Sequence, residues 1–358
     1  MLVHICCSVD SHYFLTKLKK IYPNENIIGY FYDPNIHPYS EFLLRYQDVK
    51  RSCKKLGVKL ICGDYDYESW LSGTKGLENE PEKGKRCEYC FDFRVGKSAQ
   101  IAVELGCKKI TTTLLMSPKK DFTQLENALK NAVIGTKLEP VAVDFRKNGG
   151  TSEQFELAKK DKLYHQNYCG CVFALEKQRA RDDVFDELCE PLGGQVQFGS
   201  IKSRLKLYKK VRKYEKNGLE FELIKEKILN YRLKFAKVCV DGVTLPSYFL
   251  FYSHFNRNLI KFKVNESLEL LNTNKDDIKL ISLAKFNELG GFFYKSVLEL
   301  MANPPKLKCE LKVRKLLCGK FSLSPIIVLD EINIGKFEVR ATSIIYPQSV
   351  EKIKISVK

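Results

Sequence analysis

The sequence predicts an α/β fold: a Rossmann-like parallel sheet with helices on both faces, followed by a smaller α+β domain. Three observations carry that expectation. Short apolar runs alternate with segments of helical period through the first half of the chain. Cysteines concentrate in that same half, whereas the net positive charge concentrates in the other. The composition, 44% hydrophobic and 29% charged over 358 residues, suits a packed core and excludes a disordered or fibrous chain. Every apolar stretch is shorter than the roughly 18–20 residues of a membrane span. Met1 to Cys7 has the pattern of a buried strand and lacks the basic flank and small-residue cleavage site of a secretion signal. A cytoplasmic protein without membrane association is expected.

In chain order, Leu2 to Cys6 is strand-like, and His12 to Lys20 has helical spacing with Phe14, Leu15 and Leu18 on one face. Asn26 to Tyr32 forms a second strand. Glu41 to Leu56 is a helix, acidic early and basic late as the helix dipole favours, with Gly57 to stop it. Val58 to Cys62 is a third strand. A helix from Val95 to Leu105 stops at Gly106 and is followed by strand-like Lys109 to Leu115. Thr123 to Val133 and Ser152 to Lys160 are helices flanking strand-like Lys137 to Asp144. Strand–helix repetition of this kind implies a parallel sheet whose sites form at the carboxyl ends of strands.

A linker over residues 193–200 divides the chain into domains of residues 1–195 and 201–358. In the second, Ile201 to Phe235 is expected as a long Lys- and Tyr-rich helical segment. Strand-like runs follow at Tyr248 to Tyr252, Leu259 to Val264, Ser324 to Leu329 and Phe337 to Tyr346.

The whole chain carries +17, but residues 1–200 hold 29 basic and 27 acidic side chains, whereas residues 201–358 hold 31 and 16. A Lys-rich composition throughout would raise both halves alike. A basic second domain that meets a polyanion accounts for the difference. Nucleic acid fits better than an anionic membrane surface, because no strongly amphipathic Lys-faced helix with bulky apolar partners stands out.

Ten of the 13 cysteines lie in residues 1–200. With no export signal they are not a disulfide framework, and some of them read as metal ligands. Six fall in three pairs: Cys6-Cys7, Cys87-x-x-Cys90 and Cys169-x-Cys171. A C-x-x-C brings two thiolates to one metal from a single turn, and a second pair completes four ligands. Six thiols exceed one tetrahedral zinc site; four suit an iron–sulfur cluster, leaving two for a second metal or for redox exchange. Asp10, four residues after Cys6, is either a hard oxygen ligand for a mononuclear iron or the N-cap of the following helix. Cys53, Cys62, Cys107, Cys189, Cys239, Cys309 and Cys318 stand singly and read as core residues.

Polar groups recur after successive strands, as a real site requires. Phe31-Tyr32-Asp33-Pro34-Asn35-Ile36-His37-Pro38 follows the second, Asp64-Tyr65-Asp66 the third, and Thr111-Thr112-Thr113 with Ser117-Pro118-Lys119 the fourth. Arg86 precedes Cys87. No G-x-G-x-x-G or G-x-x-x-x-G-K-[ST] follows a strand, and Cys6-Cys7-Ser8-Val9-Asp10 occupies the place where ATP pyrophosphatases of similar layout cradle phosphate.

Taken together, these motifs resemble the QueH-type epoxyqueuosine reductases. The matching stretches are residues 4–7, 31–38, 63–66, Gly76 to Glu82, Arg86 to Phe91, Thr111 to Lys119 and Tyr168 to Leu175, in order over about residues 1–180. Some members have a third cysteine where this chain has Asp10; the members it resembles more closely have aspartate. Residues 201–358 match no part of the family core. The resemblance implies reduction of the epoxide of epoxyqueuosine in tRNA to queuosine, without cobalamin, through a [4Fe–4S] cluster and an additional mononuclear iron. It implies Cys6, Cys7, Cys87, Cys90, Cys169 and Cys171 as the thiolate set and Asp10 as a ligand of the extra iron. Which thiolates serve which metal stays open; Cys7, Cys87, Cys90 and Cys171 for the cluster, with Cys6, Cys169 and Asp10 around the iron, is the working division.

Opening the epoxide to an alkene consumes two electrons and two protons and releases water. The electrons come from an unidentified donor, and Asp64, Tyr32 and His37 are candidate acids. A tRNA partner also accounts for the charge asymmetry, with Lys206, Lys209, Lys210, Arg212 and Lys213 of the second domain expected to grip its backbone. The rival readings are an ATP-using tRNA thiolase, which would need a phosphate loop, and a zinc-stabilised RNA-binding protein without activity.

Overall fold

The computed structural model describes residues 1–166, 168–178 and 194–355. Of these, residues 1–166, 168–178 and 204–223, with residue 355, form one compact unit; residues 194–203 and 224–354 form the other.

The first unit is built on five parallel strands: β1 (Leu2–Ile5), β2 (Ile28–Phe31), β3 (Lys59–Cys62), β4 (Lys109–Thr112) and β5 (Glu139–Pro140). Their order is β3-β2-β1-β4-β5, and all four pairings are parallel. The central strand β1 is fully buried because every one of its residues, His4 included, is covered. The helices are α1 (Ser8–Ile21), α2 (Tyr39–Leu56), α3 (Tyr67–Ser72), α4 (Lys85–Glu104), α5 (Phe122–Ala132), α6 (Gly150–Lys160), α7 (Val172–Gln178) and α8 (Ile201–Lys216). The chain runs from β1 to β3 in one direction and from β1 to β5 in the other. Right-handed crossovers then put α1 and α2 on one face and α4 and α5 on the opposite face. The packing agrees: α1 lies against α2 and α6, while α4 lies against α5, β1 and β4. The direction reverses between β1 and β4, so a crevice opens at their carboxyl ends.

Local chemistry sets the helix ends. Gly57 caps α2 at φ +63°, a left-handed backbone that costs glycine nothing, and Glu41 and Lys54 sit at opposite ends of its dipole. Two expectations need correction here. The helix expected from Val95 begins ten residues earlier, at Lys85, so Cys87 and Cys90 sit in its first turns. The strand expected over Lys137 to Asp144 contracts to Glu139–Pro140, an edge strand held to β4 by the Glu139 and Val141 N–H groups on either side of the proline.

The second unit holds two four-stranded sheets. The remaining strands are β6 (Phe221–Val240), β7 (Val243–Leu245), β8 (Tyr248–Phe249), β9 (Leu259–Val264), β10 (Leu270–Asn272), β11 (Lys279–Ser282), β12 (Ile326–Leu329) and β13 (Gly335–Ile355). One sheet runs β7-β6-β13-β9 and the other β10-β11-β12-β8; β11 and β12 pair parallel, whereas β10–β11, β12–β8, β13–β9 and β6–β7 are antiparallel. Helices α9 (Leu283–Gly290), α10 (Val297–Ala302) and α11 (Leu307–Cys318) pack on the second sheet's core.

The long helical segment expected from Ile201 to Phe235 is therefore half helix and half strand. The helix ends at Lys216, and Gly218 at φ +65° turns the chain into β6. The helical part from Arg204 on belongs to the first unit, not to the domain expected from residue 201. Its buried face is Tyr208 and Val211, with Tyr208 edge-on to Tyr164 at 5.2 Å. Cys53 is buried as expected, but Cys62 is exposed, since β3 is an edge strand with open space beyond it. Cys107, Cys239, Cys309 and Cys318 are half-buried; Cys189 and part of the expected linker lie outside the described residues.

Candidate active site

His4 organises the strand ends. Its Nε2 faces the Tyr32 carbonyl at 3.0 Å, and its Nδ1 faces Thr112 Oγ1 at 2.8 Å. A carbonyl can only accept, so Nε2 carries the proton and Nδ1 accepts from the threonine. Burial holds the imidazole neutral, lowering its pKa to about 3. Neutral His4 thereby ties β1 to β2 and β4 just before the loops that carry the polar motifs.

Directly after β1, Cys7 is the N-cap residue of α1 and Asp10 lies in that helix's first turn. Asp10 is thus not the N-cap; its carboxylate turns toward the thiols. Cys6 Sγ lies 3.8 Å from Cys7 Sγ and 3.7 Å from Asp10 Oδ2. Gln154 Nε2 donates to Asp10 Oδ1 at 2.5 Å and fixes the carboxylate. Cys6, Cys7 and Asp10 present ligand atoms within 4.8 Å of one another, all buried. Burial pushes Asp10 up to about 6, and the neighbouring Cys6 thiol together with burial raises Cys7.

These three residues line a cavity of about 220 Å³ with Asp33, Asn35, Arg45, Arg94, Lys120, Tyr168 and Cys169 among its walls. A second, narrower cavity is lined by Cys87, Cys90, Cys169 and Cys171, with Trp70 and Arg86 beside them. Cys169, Lys120, Arg94, Asn35 and Glu82 line both. All six paired cysteines thus come to two cavities that share a wall. Cys90 and Cys171 are raised by burial, Cys171 to about 12. Burial acts the same way on Cys169, but Lys120 at 3.8 Å, the Cys171 backbone, Arg45 and Arg94 together outweigh it and hold that thiol below its ordinary value.

The scaffold around the thiols is ionic and buried. Arg94 pairs with Asp33. Arg45 donates to Glu41 at 2.8 Å and lies over the Tyr168 ring. Arg86 gathers the carbonyls of Leu77, Glu78 and Glu80 on one nitrogen at 2.7–3.1 Å, which pins the Gly76 to Glu82 loop against the start of α4. Asp33 Oδ2 and Asn35 Oδ1 are buried with no hydrogen-bond partner among the described residues. Asp33 lines the first cavity and Asn35 lines both.

The other candidates lie elsewhere. Tyr32 is buried under Tyr30 and Phe93 and donates its hydroxyl to Asp66 at 2.8 Å. His37 stacks near Tyr67, its backbone N–H bound to the Gly170 carbonyl at 2.9 Å. Asp64 is exposed. None of the three lines either cavity. Arg45, Arg94, Lys120 and Gln154 went unnoticed in the sequence. For Arg94 a signal existed: Cys87, Cys90 and Arg94, at spacings of three and four, share one helical face.

The comparisons with known proteins bear on this geometry. Residues 1–177 match the family model described as Epoxyqueuosine reductase QueH. A relative of that name from Helicobacter pylori is 37% identical over 98% of this chain and 99% of its own length. The chain belongs to the epoxyqueuosine reductase QueH family. It is an oxidoreductase of queuosine biosynthesis. The family member from Thermotoga maritima is 33% identical, and 51% of this chain covers 93% of it. The second half is thus shared with the Helicobacter relative and lies outside the match to the shorter one. Among solved structures, a U34-tRNA thiolase NcsA from Methanococcus maripaludis with its [4Fe–4S] cluster matches 60% of this chain and 73% of its own. The TM-score is 0.32 and the identity 16%. Among the described residues no helix is long and apolar enough to cross a membrane.

Proposed function

We propose that the α/β unit reduces the epoxide of epoxyqueuosine in tRNA by means of a [4Fe–4S] cluster and a neighbouring iron, fed by a separate electron donor. The observation that carries this reading is the convergence of six thiols from three distant segments on two adjoining cavities. The donor sets fit the groups. Cys87, Cys90, Cys169 and Cys171, which line one narrow cavity, are a four-thiolate set suited to a cluster. Cys6, Cys7 and Asp10 offer two soft ligands and one hard ligand to a single iron. This division replaces the one expected from the sequence, in which Cys7 and Cys169 were exchanged. When bound, such groups supply single electrons and a Lewis acid for the epoxide oxygen.

The remaining work falls to the chain. Gln154 keeps Asp10 turned to the thiols. Lys120 favours the thiolate of Cys169. Asp33 is the acid best placed for the opening epoxide: it lines the larger cavity, its Oδ2 is free, and burial raises its pKa against the pull of Arg94. It replaces Tyr32, His37 and Asp64 in that role. Lys206, Lys209, Lys210 and Lys213 are exposed on α8 and serve as the tRNA grip; half-buried Arg212 instead donates to Gln47 at 2.6 Å. A tRNA substrate places the work in the cytoplasm.

The test is anaerobic purification followed by metal and sulfide analysis and incubation of the reduced protein with epoxyqueuosine-containing tRNA. Iron, sulfide and a nucleoside lighter by one oxygen are expected, and Cys90→Ser or Cys171→Ser should remove the sulfide, most of the iron and the product. A colourless zinc protein that leaves the nucleoside unchanged would support an RNA-binding module instead.

A further inference from the structure

Helix α11 divides its residues sharply between two faces. Leu307, Glu310, Val313 and Arg314 are buried, whereas Lys308, Lys312 and Lys315, spaced by four and three, form an exposed ridge. The ridge borders a cleft of about 630 Å³ within the second unit, completed by Lys320 and by apolar side chains including Phe321, Leu229 and Phe198. No aspartate or glutamate lines the cleft. None of the ion pairs found among the described residues of this unit engages these four lysines.

Phe321 is 86% exposed, an unusual position for a large ring. The segment that carries it is nonetheless held in place. Arg314, buried beneath, donates to the carbonyls of Ser322 at 3.2 Å and Ser324 at 2.9 Å and so braces the segment that carries the ring. Lys320 lies 5.0 Å from the ring centroid. A braced, solvent-facing aromatic beside a row of uncompensated cations is the arrangement that binds single-stranded nucleic acid, bases stacking on the ring and phosphates on the lysines. An acidic peptide would satisfy the lysines but offers no flat face to Phe321. A lipid surface would also meet exposed Phe321 and Leu316, but the lysines and the ring line a cleft into which a strand of nucleotides fits and a flat bilayer surface does not.

We propose that this cleft binds unpaired nucleotides of the tRNA substrate, in addition to the nucleotide that enters the catalytic cavity. The proposal rests on the tRNA reading above. Its test uses the full-length chain and a fluorescein-labelled single-stranded ribo-oligonucleotide, with duplex RNA, polyglutamate and phosphatidylserine vesicles as competitors. Phe321→Ala should weaken oligonucleotide binding by about 5-fold or more. Replacing Lys308, Lys312 and Lys315 together by Gln should reduce the salt slope by about 2. Because these side chains are exposed, both variants should keep the wild-type unfolding midpoint. With full tRNA their KM for reduction should rise at constant kcat.

Unchanged oligonucleotide affinity and salt slope in both variants would overturn the proposal, as would duplex RNA, polyglutamate or vesicles competing as well as the single strand. Reduction of epoxyqueuosine-tRNA by the wild type alongside indifferent variants would sink the cleft alone. Variant-sensitive oligonucleotide binding without any reduction would sink the catalytic reading and leave the cleft.

Discussion

In the α/β unit the side chains of Asp33, Arg45, Asp48, Arg86 and Arg94 are all less than a tenth exposed, whereas the lysines of α11 in the second unit stand in solvent. The two regions put charge to opposite uses. A buried ion must be paired or hydrogen-bonded to be tolerated, so the first unit spends its charges on holding loops in place around the thiols. Exposed lysines cost little to keep and act at a distance on a polyanion. The near-zero net charge of residues 1–200 therefore conceals a highly ionic interior, whereas the +15 of residues 201–358 is shared by both units, because the lysine-rich part of α8 from Arg204 on belongs to the first. Among the described residues the second unit has one interior exception, Glu310 beside Arg314, which braces the segment carrying Phe321.

Three measurements would break or sharpen this contrast. The largest effect is expected at the buried pair. Arg94→Leu strands Asp33 without its partner and should cost about 3–5 kcal/mol in denaturant unfolding, most of it recovered when Asp33→Asn is added. Recovery failing to appear would mean that Arg94 acts by packing and not by charge.

Next comes the boundary between the regions. Tyr208→Ala should cost about 3 kcal/mol, because it empties a buried contact with Tyr164. A chain ending after residue 223 should then unfold at a higher denaturant midpoint than one ending at residue 200. Equal midpoints would return α8 to the second domain.

The smallest effect concerns Glu310, whose pKa burial raises from 4.5 to about 7. Between those values the folded state keeps a proton that the unfolded chain has released. Stability from this group is therefore full below about pH 4.5 and is lost as pH rises through 7, by no more than about 3 kcal/mol. Glu310→Gln should flatten that part of the pH profile; an unchanged profile would show that Arg314 keeps the carboxylate ionised.

Period and spacing were enough to place most elements of the first half, since the parallel strands are buried and read as continuous apolar runs. They failed where a residue's role depends on distant neighbours. β6 carries Lys and Glu in a pattern that suits a helix, and its pairing with β7 and β13 makes it a strand. The cysteine pairs were legible because ligand spacing is local. Arg45, Lys120 and Gln154 were not, because each reaches the site from a different element.

By itself the sequence determined the parallel architecture of the first half, the six thiols, the family motifs and the separation of charge. Each of these depends on composition or on residues a turn or a loop apart. Only the tertiary structure decided that four thiols line one cavity while two others meet Asp10, that Tyr32, His37 and Asp64 stand aside, and that α8 from Arg204 on belongs with the sheet. Those outcomes depend on which chain segments pack together, and packing brings into contact side chains more than a hundred residues apart, as it does Asp10 and Gln154.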